Sequence, residues 1–171
     1  MAGVLFRQVI SEYTLTTTEK AIAQLIAASN HGFYVNSVLL EFDDAADTTT
    51  GVGQVTLRLH TDAGTGGVTQ EPFLTGADSE AIQTTGLEGT WVTTEPAHGN
   101  IIARKNFKIT TNTPAMLFTF TRGAGSTPTS SGNSYSGGRL KIAGGTRFGV
   151  EIFGPTSVSA ATVLCTIEGE E

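Results

Sequence analysis

The groups in this chain that could do chemistry are its carboxylates, three histidines and one thiol, and their spacing decides what kind of chemistry is open to them. Asp43, Asp44 and Asp47 cluster after an apolar run, where a loop could gather oxygen ligands for a hard cation such as calcium. No glutamate closes that loop and the alternating oxygen ligands are missing, so the aspartates read as turn formers. His31, His60 and His98 stand far apart without the short ligand spacing of a zinc site, and each is expected to be ordinary polar surface. Glu71 and Glu95 each precede a proline in a turn-initiating pair, and no second carboxylate is placed to complete an acid–base dyad.

Cys165 is the only cysteine. It excludes an intramolecular disulfide, fits folding in a reducing cytoplasm, and sits in an apolar run where a buried, inert thiol is expected. The glycine-rich runs 64–67 and 123–138 lack the Lys-Ser or Lys-Thr that would open a phosphate-binding helix. Trp91 could stack a sugar, but a lone tryptophan in a β-protein more often anchors a core or an interface. The sequence therefore sets no catalytic residue, no cofactor site and no metal site. A surface that binds is expected in place of one that converts.

The elements that would carry such a surface are strands. Apolar and polar residues alternate, or nearly so, in 55–60, 107–111, 116–121 and 158–167, the period of a half-buried strand. Gly, Ser, Thr, Asn and Pro fill the intervals. At 171 residues the chain suits one domain with a real core. Its charged fraction of 15% is low and its mean hydropathy is +0.02, a composition common in β-proteins of virions and extracellular surfaces. The net charge of −6, with Arg104, Lys105 and Lys108 as the one basic cluster, argues against nucleic acid as the main partner. No signal peptide is apparent, and no apolar run is long enough to span a membrane.

Residues 1–12 read as an N-terminal arm or an added strand, and 13–171 as a single domain. Val4, Leu5, Phe6, Val9 and Ile10 are too apolar to dangle in water, so they either join the domain or dock on a neighbour. Strands are expected at 13–18, 33–42, 54–61, 100–110, 115–122, 139–143, 147–153 and 156–168, with short ones around 90–94. Segment 19–28 is ambiguous between helix and strand; the strand is preferred, hairpinned to the next through Asn30-His31-Gly32. In 33–42, Tyr34, Val38, Leu40 and Phe42 should share one face. In 54–61, Val55, Leu57 and Leu59 should face inward, and Thr56, Arg58 and His60 outward. The architecture is all-β, a jelly-roll-like two-sheet β-sandwich with long loops, its helix confined to a turn or two near 19–28 or 78–83.

The order of features resembles a known family. Leu15-Thr-Thr-Thr-Glu-Lys leading to Gln24-Leu-Ile-Ala-Ala-Ser-Asn, the run 55–61 before a Gly/Thr loop, Glu95-Pro96, and Gly149-Val-Glu-Ile-Phe-Gly-Pro before Val158 are similar to small β-sandwich proteins of tailed bacteriophages, including capsid decoration (cement) proteins. The resemblance implies a non-enzymatic structural virion protein, often a homotrimer, that is assembled in the host cytoplasm and clamps neighbouring major capsid subunits from outside. A tail-associated or carbohydrate- or receptor-binding module is the alternative. Interface candidates are Val4, Leu5, Phe6, Val9, Ile10, Trp91 and Tyr135, and removing residues 1–10 should leave a folded domain that binds shells more weakly.

Overall fold

Strict alternation produces the clearest strand. In Thr162–Glu170 each second side chain, from Val163 through Cys165 and Ile167, is buried, and the others face outward. The computed structural model describes residues 4–43, 51–75, 81–89, 91, 94–109, 113, 115–120, 140–155 and 161–171. Among them lie twelve strands: β1 (Leu5–Thr14), β2 (Lys20–Ile26), β3 (Phe33–Asp43), β4 (Gly53–His60), β5 (Val68–Thr69), β6 (Phe73–Leu74), β7 (Thr85–Glu88), β8 (His98–Phe107), β9 (Met116–Thr119), β10 (Leu140–Ile142), β11 (Arg147–Phe153) and β12 (Thr162–Glu170). No helix occurs among the described residues.

The strands form two antiparallel sheets packed as a sandwich. Sheet A runs β10-β3-β12-β1-β6, with β9 also paired to β3, and sheet B runs β5-β7-β2-β11-β4-β8. Four nested pairs organise both: β1 with β12, β2 with β11, β3 with β10 and β4 with β8. The chain thus doubles back as one long ribbon, whose successive pairs fall alternately in sheet A and sheet B. That is the jelly-roll arrangement. Between the sheets, Phe6 and Phe33 meet edge to face at 5.8 Å, and Phe148, Leu25, Leu57 and Ile167 are fully buried around them.

Several expectations are refined by this pairing. Leu5–Thr14 form β1, so Tyr13 and Thr14 of the expected 13–18 strand are its tail and not a separate element, while residues 1–3 lie outside the described residues. The turn at 28–31 does not make a paired hairpin, because β2 belongs to sheet B and β3 to sheet A. In β3 it is Val35, and not Tyr34, that joins Val38 and Leu40 in the core; a register shift opposite Glu168 and Gly169 inserts one residue and flips the parity. Around 90–94, Thr94 makes only an isolated bridge to Thr65, and residues 90, 92 and 93 lie outside the described residues. The closing strand begins at Thr162, and 156–160 also lie outside them.

The excursion between β4 and β8 closes one side of the sandwich. β5 and β7 extend sheet B while β6 pairs with β1 in sheet A. Gln8 on β1 is buried and donates from Nε2 to the Gln70 and Leu87 carbonyls, at 3.0 and 3.3 Å. The Glu88 carboxylate accepts from the Ser11 amide and hydroxyl, at 2.6 and 2.8 Å. These bonds tie sheet A to sheet B at that edge.

Candidate functional site

The central strands of sheet B are buried on both faces, although their sequence alternates like a half-exposed sheet. In β11 every residue from Phe148 to Ile152 is buried, including Gly149 and Glu151, and in β4 so are Thr56, Arg58 and His60. The inward residues of β4 are as expected. His60 is not polar surface, because the chain's own connections cover the face it points from.

Two segments form that cover. The connection 15–19 brings Glu19 over β4, where Thr56 Oγ1 donates to Glu19 Oε1 at 3.1 Å. The excursion returns with Glu95, which accepts from Lys20 Nζ and from the Ala21 amide, both at 3.0 Å. Asp62 Oδ1 fastens the two legs of the excursion by accepting from the Gly64 and Ala97 amides, at 3.0 and 2.9 Å. Those two bonds hold the Asp62 carboxyl below its ordinary range.

Beneath the cover lies a polar cluster centred on Glu151, which is 1% exposed. Gln24, Gly149 and Arg58 stand side by side across β2, β11 and β4. Gly149 has no side chain, so the His60 ring lies over it and spans the strand. Gln24 Nε2 donates to the Asp62 carbonyl at 3.0 Å, which fixes the amide orientation, and meets His60 Nδ1 at 2.8 Å. Nδ1 is therefore the acceptor, and the proton on Nε2 is donated to Glu151 Oε1 at 3.0 Å. Arg58 Nε stands 2.7 Å from Glu151 Oε2 in an ion pair without hydrogen-bond alignment, and its guanidinium also reaches Glu19 Oε2 at 3.7 Å. His98, at the start of β8, brings Nε2 to 3.3 Å from Glu151 Oε1. Two buried or half-buried carboxylates thus face one guanidinium and two imidazoles. The spacing of these residues along the chain gave no sign of the cluster, because four strands and a connection assemble it. The one local signal is Gly149 in mid-strand, which marks a close approach.

The outer face of sheet A is different. Register partners Val9, Thr166, Leu39 and Leu117 form a cross-strand row, half-buried at its centre and ending at Leu117, which is 48% exposed. Arg7, Glu168 and Ser37 make the neighbouring row. Arg7 donates to Glu168 Oε1 from Nε at 3.1 Å, and Ser37 Oγ donates to Glu168 Oε2 at 3.1 Å. Leu5 and Phe73, 43% and 48% exposed, add apolar surface toward the β6 edge.

The expected contact residues divide accordingly. Val4, Phe6 and Ile10 are buried in this chain's own core, while Leu5 and Val9 face outward from sheet A. Trp91 is buried, its indole Nε1 donating to the Ala63 carbonyl at 2.7 Å, so it presents no ring face to a sugar and instead anchors the excursion. Tyr135 lies outside the described residues, as do Asp44, Asp47 and the run 123–138. Asp43 is the last residue of β3. Cys165 is fully buried and its thiol is pushed up to about 12 by burial, which makes it a poor nucleophile. No protein-family model, no curated protein and no solved structure matches the chain.

Proposed function

We propose that this chain is a structural virion protein that binds the outer surface of a phage capsid, bridging neighbouring major capsid subunits, and that it acts as a homotrimer without catalysing a reaction. The observation that carries the reading is the asymmetry between the two outer faces. Among the described residues, segments of the chain roof sheet B, while sheet A carries a row of Val9, Leu39 and Leu117 beside exposed Leu5 and Phe73. A rigid sheet face with apolar side chains in register, edged by the Arg7–Glu168 pair, suits contact with a folded protein surface. The net charge of −6 favours a partner face of basic or mixed character. Many copies, each adding a modest contact, would stabilise a shell by mass action.

Burial of Trp91 removes the residue on which the carbohydrate-binding reading rested. The capsid reading is tested by heating shells of the encoding phage with and without the protein. Shells carrying it should rupture at higher temperature, and Leu39→Asp with Leu117→Asp should abolish the gain while leaving the domain folded. Equal rupture temperatures would refute the reading.

A further inference from the structure

The cluster over sheet B brings together three side chains that could share one ion. Glu19, His98 and Glu151 each offer one ligand atom, and these atoms lie within 4.8 Å of one another. His98 Nε2 and Glu151 Oε1 are 3.3 Å apart. That is beyond the range of about 2.7–3.2 Å for an N–H···O hydrogen bond. It equals the separation of roughly 3.3 Å between two ligands of a tetrahedral ion with bonds of about 2.0–2.1 Å.

A second observation points the same way. Glu151 is buried, and its Oε2 accepts no aligned hydrogen bond, its contact with Arg58 Nε at 2.7 Å being an ion pair. Glu19 and Glu151 bring two carboxylates to one guanidinium, with the imidazoles of His60 and His98 beside them. The surroundings are those of ligand-orienting partners: Thr56 holds Glu19 Oε1, His60 holds Glu151 Oε1, and Gln24 holds His60 in turn. His98 has a side chain 52% exposed, so the cluster opens to solvent on that side. One imidazole with two carboxylates suits a first-row divalent ion, whereas calcium and magnesium prefer oxygen alone.

We propose that Glu19, His98 and Glu151 bind a divalent transition metal, zinc by ligand type, which pins the 15–19 connection and the start of β8 to the centre of sheet B. The site is independent of shell binding. The test uses the full chain, stripped with a chelator and titrated with zinc chloride by calorimetry, with thermal unfolding followed in parallel. One zinc per chain and a higher unfolding temperature are expected, with no shift from magnesium or calcium. His98→Ala and Glu19→Gln, both at the open rim, should fold normally and weaken zinc binding at least tenfold. His31→Ala, on an exposed turn, should bind like the parent. Absence of zinc binding, or binding unchanged in His98→Ala, would overturn the proposal, and it would leave the His98–Glu151 contact as an ion pair alone.

Discussion

Gly149 lies directly beneath the His60 imidazole: a Cβ at that position would penetrate the ring at Cε1, Nε2 and Nδ1, with no flexible side-chain end to yield. The glycine lets His60 reach across β11 to Glu151 and Gln24 together. Gly149→Ala should therefore destabilise the fold by about 1–3 kcal/mol, the usual range for overpacking. Paired with His60→Ala, it should cost less than the sum of the two single changes, since the clash is gone. Urea denaturation of the four proteins reads the coupling.

Arg58 and Glu151 are both buried, so breaking the pair on one side strands a charge. Glu151→Ala should cost about 3–5 kcal/mol, as such one-sided removals do. The double change Arg58→Met with Glu151→Leu should recover much of that loss. Equilibrium denaturation midpoints distinguish the two outcomes.

How much of this was legible in the residues differs between the sandwich and its roof. The alternation of 54–61 and the run 147–153 locate β4 and β11 nearly to the residue, because period two is a local signal. The same alternation makes Thr56, Arg58, His60 and Glu151 look solvated, since a polar residue on an outward position reads alike whether water or another segment covers it. The cover comes from 15–19 and from 61–67 with Trp91 and 94–97, and nothing local links those segments to β11. Tyr34 misled for a related reason: a single inserted residue in β3 reverses facing, and the bulge is set by the partner strand β12.

Acid should weaken the fold through Glu168 and Asp62. Glu168 is held below its usual 4.5 chiefly by the hydrogen bond from Arg7, with Ser37 adding to it against burial, and Asp62 is held below 3.8 by the Ala97 and Gly64 amides. A carboxyl depressed in the folded state contributes stability that is complete above its unfolded value and is lost as pH falls through the folded one. Arg7→Met should therefore destabilise at pH 7 and converge with the parent once the pH drops well below 4.5. The effect at pH 7 should stay below about 1 kcal/mol, because the pair is largely solvent-exposed. Asp62→Asn should likewise flatten the acid limb of the stability curve.

β1 lies between β12 and β6, with Phe6 and Ile10 in the core. A chain lacking residues 1–12 should show no cooperative unfolding transition by calorimetry, in contrast to a detachable arm, whose loss would leave the transition in place. The proposed shell binding is better probed by surface substitutions on sheet A than by truncation.

The most direct measurement of the proposed role is co-sedimentation of the purified protein with shells built from the major capsid protein of the phage proposed to encode it, titrated to saturation. The account predicts saturable binding at a fixed ratio of copies to capsid subunits, lost in the Leu39→Asp, Leu117→Asp variant and retained in His98→Ala. Protein that stays in the supernatant at every concentration, or that associates only with tails, would contradict it.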